Sequence, residues 1–87
     1  MNLPLITDPL SPPHVLVRGA EHALVLIEKG YKVTWLEATP EALKAARRAL
    51  MPLPFTFQNR VEGIYLDDPT RFLPENFDAT VGFASAH

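Results

Sequence analysis

The chain has 87 residues, with 8 basic against 10 acidic side chains and a formal charge of −2, enough for one domain around one small core. Apolar residues make up 47%, which argues against wholesale disorder, and a charge this close to zero gives no general drive towards nucleic acid or anionic membrane. Without cysteine there is no disulfide framework, thiolate nucleophile, zinc ribbon or iron–sulfur cluster.

The N-terminal stretch, MNLPLITDPL, lacks a basic region, and Pro4 and Pro9 interrupt any apolar helix. No secretory signal is expected there. The longest apolar run, Ala23 to Ile27, falls far short of the roughly 20 residues that span a bilayer. A cytoplasmic protein is the default expectation. All nine prolines lie outside the stretch from His14 to Thr39, four of them before it. Residues 1–13 therefore read as an extended arm, because proline fixes φ and biases its predecessor towards extended geometry. Leu3, Leu5, Ile6 and Leu10 of that arm prefer a surface to water. That surface is the arm's own domain or another subunit or partner, and a disordered arm is the remaining alternative.

Residues 14–87 read as a single small domain. His14 to Arg18 is a short strand. Between Ala20 and Lys29, Ala20, Ala23, Leu24 and Ile27 share a helical face, Glu21 and Lys29 complement the helix dipole, and Gly30 supplies the stop. A strand stays open there, since ALVLI is also a continuous apolar run. Tyr31 to Glu37 alternates as a strand. Thr39 then caps a helix with Pro40 at its first position and an apolar stripe of Ala42, Leu43, Ala46, Ala49 and Leu50. Phe55 to Gln58 alternates again, Val61 to Leu66 is a further strand, and Asn59–Arg60 is the turn expected between them. Residues 67–78 have the proline spacing of a loop, and the tail from Ala79 reads as a short edge strand.

The expected order is β-α-β-α-β-β: an α+β fold, a two-layer sandwich of two helices on a mixed sheet, with the N-terminal arm alongside. Trp35, Val33, Leu24, Ile27, Leu43, Ala46 and Leu50 are the expected core. The alternating strands predict a second sheet face that is partly open. Such a face, with its exposed edges, invites a second copy, and a homodimer joined through the arm is expected.

The segment from Val15 to Glu37 resembles the opening unit of a dinucleotide-binding fold: strand, glycine, helix, strand, then an acidic residue eighteen positions after Gly19. In the G-x-G-x-x-G fingerprint the second glycine lets backbone approach a pyrophosphate. Glu21 stands there and Leu24 at the third position, so a dinucleotide is repelled. Arg18 and Gly19 still stand at a helix start, where backbone N–H groups and the dipole attract an anion, although Arg18 also has Glu21 to pair with. Lys44, Arg47 and Arg48 form a basic face on the second helix; such spacing is most often a solvated face, with Glu41 to pair with Lys44, and otherwise suits a protein partner or, less readily, nucleic-acid phosphates, since no aromatic residue interleaves to stack bases. His14, His22 and His87 have no metal-ligand spacing, so no metal is expected. Asp67, Asp68, Glu75 and Asp78 read as turn carboxylates rather than an acid–base pair. Ser11 and Ser85 lack a nucleophile motif. DDPTRFLPENF resembles the D-P-x-x-F-x-P-E-x-F stretch that precedes the haem-binding loop of cytochromes P450. It spans eleven residues, and that family's haem-ligating cysteine has no counterpart here. No cofactor is expected.

The functional expectation is binding without catalysis: a small accessory or regulatory module acting by protein contact, with Lys44, Arg47, Arg48, Leu3, Leu5 and Ile6 as contact residues. The alternatives are a sensor of small anions at Arg18 and Gly19, and nucleic-acid binding through the basic helix.

Overall fold

In the computed structural model, which describes residues 3–83, four strands form one sheet: β1 (His14–Arg18), β2 (Lys32–Glu37), β3 (Val61–Leu66) and β4 (Ala79–Val81). Their order across the sheet is β3-β2-β1-β4. Every pairing is parallel. Helix α1 (Ala20–Lys29) joins β1 to β2, while α2 (Pro40–Leu50) and α3 (Phe55–Gln58) lead from β2 to β3. His87, Ser85 and the end of the expected tail strand lie outside the described residues.

A small domain of helices on a single sheet is what the residue pattern implied. The mixed sheet is not found, and the physical reason lies at residues 52–60. Pro54 sets the chain for a helical turn, with the N–H groups of Phe57 and Gln58 donating to its carbonyl. Phe55–Gln58 is thus a short helix, α3, and not a strand. The Gln58 side-chain amide then donates to the carbonyls of Met51 and Leu53 at 3.1 and 2.9 Å, supplying donors that the end of α2 lacks. Arg60, expected in a hairpin turn, instead donates to the carbonyl of Ile27 at the end of α1, at 2.7 Å. The chain has by then crossed to the start of β2, so β3 runs parallel to it.

Alternation divides the sheet residues between two faces. Val15, Val17, Val33, Trp35, Ile64 and Val81 cluster with Ala23, Leu26 and Ile27 of α1 and with Ala46 of α2. Both helices therefore cover the same face. The segment from Ala23 to Ile27 is helix, so its strand alternative falls. Leu24, Leu43 and Leu50, expected as core, are half-buried against this cluster.

The second face is covered at its centre and open at its rim, where Lys32, Glu62 and Thr80 stay accessible. Leu16 and Leu36 are fully buried at the centre, covered by the connection from β3 to β4. Phe77 meets the edge of His14, with ring centroids 4.9 Å apart, and Phe72 lies over Tyr65 at 5.3 Å. Irregular chain covers this face instead of a helix. The arm packs on its own domain: Leu3 and Ile6 reach the core cluster, and Tyr31 Oη donates to the carbonyl of Pro4 at 2.7 Å. Leu5 and Leu10 stay exposed.

Candidate site at the carboxyl edge of the sheet

Because every strand is parallel, all four carboxyl ends meet at one edge. From β1 the chain moves through α1 to β2 and onward to β3, and then returns to place β4 on the other side of β1. The order thus reverses at β1: β2 and β3 lie on one side of it and β4 on the other. In open parallel sheets, ligands bind in the crevice at such a switch point.

Six residues build this edge. Gly19 is the entire connection between β1 and α1. Its φ is 97°, a Cβ placed there would meet nothing within 4 Å, and no side chain caps α1 above it. Gly82 follows β4 with φ 84°, and a Cβ there would lie 2.2 Å from the Arg18 carbonyl oxygen. Only glycine lets the two strand ends approach so closely. Arg18 forms an ion pair with Asp67, which follows β3. Its guanidinium also lies over the ring of Phe83, 4.7 Å from the centroid, and its Nε is buried with no hydrogen-bond partner among the described residues. Glu37, at the end of β2, is only 9% exposed. Its Oε2 accepts from Trp35 Nε1 at 2.9 Å, an arrangement that fixes the carboxylate on the helix side of the sheet.

Backbone bonds hold these ends in register. Gly19 N–H donates to the Leu36 carbonyl at 3.2 Å, and Asp67 N–H donates to that of Glu37 at 2.9 Å. The pairing of Arg18 with Glu21 gives way to pairing with Asp67, because the parallel register carries the end of β3 to the edge beside β2 while Glu21 turns outward on α1. Sequence reasoning placed Asp67 in a turn and did not single out Gly82 or Phe83. Nothing local marks them, since their role depends on which strands become neighbours. Asp68 does hold a turn: its Oδ1 accepts from the Thr70 hydroxyl at 2.6 Å and from the Thr70 N–H at 2.9 Å, and these bonds keep its carboxyl below the ordinary range.

The other candidates are spread elsewhere. Lys44, Arg47 and Arg48 are exposed along α2, away from the Arg18–Gly19 turn in the chain and in no ion pair among the described residues. Leu3 and Ile6 line the domain's own core. His14 lies on the second face, its Nε2 2.6 Å from Thr34 Oγ1, and its backbone N–H donates to Asp78 Oδ2 at 2.8 Å. Burial, then the nearby charge of Lys32, lowers the His14 pKa, while Glu62 and Asp78 oppose the shift. Among the described residues no three histidine or carboxylate side chains converge as metal ligands, and no helix is long and apolar enough to cross a membrane.

The charges at the edge decide which chemistry it suits. Arg18 is already compensated by Asp67, Gly19 N–H is spent on Leu36, and Glu21 and Glu37 flank the turn. A one-residue connection also leaves no loop to wrap a phosphate. What the edge offers is carboxylate acceptors, guanidinium and helix-start N–H donors, and an aromatic ring. Compared with known proteins, the chain matches no family model, no curated protein and no solved structure.

Proposed function

We propose that the chain is a small binding module, acting without turnover, whose ligand occupies the switch point between β1 and β4. The ligand class that fits is neutral and rich in hydroxyls, a nucleoside being the simplest example. The observation that carries this reading is the parallel order β3-β2-β1-β4 with carboxylates, Glu37 and Asp67, at the ends of β2 and β3. An acidic residue at the end of the second strand is the group that accepts from a ribose hydroxyl in sheets of this order. The sensor of small anions is disfavoured by the same residues, since phosphate must displace Asp67 from Arg18.

Thermal unfolding with adenosine, ADP and inorganic phosphate tests the reading. A ligand present at about 100 times its Kd stabilises the fold by about 2.7 kcal/mol. Adenosine is expected to raise Tm while phosphate does not. Asp67→Asn is expected to reverse the preference by freeing Arg18. Failure of adenosine to shift Tm at millimolar concentration, whatever ADP does, would remove the proposal.

A second reading, protein contact through α2, is favoured by one observation. Met51, one turn beyond Arg47 and Arg48, is exposed together with Phe55, which puts apolar anchors beside the basic face of Lys44, Arg47 and Arg48. An acidic peptide with apolar side chains suits that surface better than nucleic acid, and an Arg47→Ala/Arg48→Ala variant is the corresponding test.

A further inference from the structure

The outward stripe of α1 contains a symmetry that the ligand site does not use. Glu21, Val25 and Lys29 recur every four residues and are all exposed, Val25 at 48%. His22 and Glu28 flank the same stripe and are exposed as well. A rise of about 1.5 Å per residue sets Glu21 and Lys29 about 6 Å to either side of Val25. Beside Val25 runs an apolar cavity of about 180 Å³, lined by Leu3, Leu26 and Val81, with Glu21, His22 and Lys29 at its rim. It lies next to β4, the last strand of the sheet, so no further strand or helix among the described residues closes it.

We propose that this stripe is the surface on which a second copy of the chain docks, with the two α1 helices antiparallel about a twofold axis through Val25. That operation pairs residues whose numbers are equidistant from 25. Glu21 meets Lys29 of the second copy and Lys29 meets its Glu21. His22 and Glu28 face each other in the same way, as donor and acceptor. The two valines meet on the axis over the apolar cavities. Every contact is complementary because acid and base are exchanged about the centre of the stripe. A parallel arrangement would instead set Glu21 against Glu21 and Lys29 against Lys29. The self-complementary match is what a twofold interface requires, and it commits the groove to a second copy over an unrelated partner. The arm takes part only through Leu3, which remains on its own domain, so this dimer differs from one in which arms are exchanged.

A pair of ten-residue helices is at the small end of stable interfaces, so dissociation is expected at about 10–100 µM. Sedimentation equilibrium on the full chain across that range is the test. Glu21→Lys and Lys29→Glu each replace two attractive pairs by two repulsive ones and are expected to raise Kd about tenfold or more. The double variant Glu21→Lys/Lys29→Glu is expected to dimerise like the original, as is an equimolar mixture of the two single variants. All these positions are exposed, and circular dichroism controls for folding. A chain that stays monomeric at several hundred micromolar, or a dimer indifferent to both single substitutions, overturns the proposal. A dimer weakened by the single variants and not restored by the double variant or by mixing overturns the twofold pairing. Lys29→Glu lies at the far end of α1 from the switch point, so its effect on dimerisation is read separately from adenosine binding.

Discussion

At the scale of single residues, the polar side chains buried in this domain are few, and Glu37 and Thr34 each meet a partner. Trp35 is fully buried, and its indole N–H finds the Glu37 carboxylate two residues along the same strand face. A buried donor left unpaired costs about 1–3 kcal/mol, so Glu37 has a structural role in addition to its place at the edge. His14 has the opposite character. Burial favours its neutral form in the folded chain, and its pKa lies below the ordinary 6.5. Between that lowered value and 6.5, the unfolded chain binds more protons than the folded one, so stability rises with pH. This contribution is expected to be intact above pH 6.5, to decline as the pH falls below it, and to level off beneath the folded-state pKa. Urea unfolding from pH 7.5 to 5 checks it, with His14→Phe expected to flatten the slope across that window.

At the scale of elements, helix ends explain the architecture better than helix interiors do. Thr39 Oγ1 accepts from the Ala42 N–H at 3.1 Å and Pro40 occupies the first helical position, so the start of α2 is fixed locally. Its far end is closed by a side chain from another helix, Gln58 of α3. Thr39→Ala is expected to cost about 1 kcal/mol, by denaturant unfolding, without changing the topology. Gln58→Ala is expected to cost a similar amount and, in addition, to speed amide hydrogen exchange through residues 51–60, because it loosens the junction that delivers β3 to its parallel partner. Equal loss with no change in exchange would show that Gln58 does not hold that junction.

For the molecule as a whole, two unlike layers protect the same sheet. Amphipathic helices cover one face through regular spacing. The other depends on a few aromatics in an irregular connection, Phe72 against Tyr65 and Phe77 against His14, with Leu16 and Leu36 buried on that face. Phe77→Ala is expected to destabilise by about 2–3 kcal/mol and to bring that face into contact with a hydrophobic dye. Loss of stability without new dye binding would mean that the connection collapses onto the gap. The carboxyl edge depends on the same connection, since Asp67 begins it and β4 ends it.

What the residues determined alone is whatever acts over a few neighbours. The strands at His14–Arg18 and Tyr31–Glu37 (the second found from Lys32), the capped start of α2, the stop at Gly30, and Trp35, Val33, Ile27 and Ala46 as core all follow from periodicity, φ preference and capping, whose reach is a turn or two. Arg18 and Gly19 were visible as a helix start for the same reason. Tertiary structure decided everything that depends on which distant segments become neighbours. Phe55–Gln58 alternates like a strand, but Pro54 and the carbonyls of Met51 and Leu53 just past α2 hold it as a helix, and β3 then joins β2 in parallel instead of forming a hairpin. Asp67 looks like a turn carboxylate until that pairing sets it against Arg18, 49 positions away. Gly82 gains its meaning only when β4 presses on the end of β1. Side-chain pattern specifies an element and the face it buries. Strand order and direction are set by how the connections satisfy backbone groups and fill space across the whole chain, and the candidate site exists only where those ends meet.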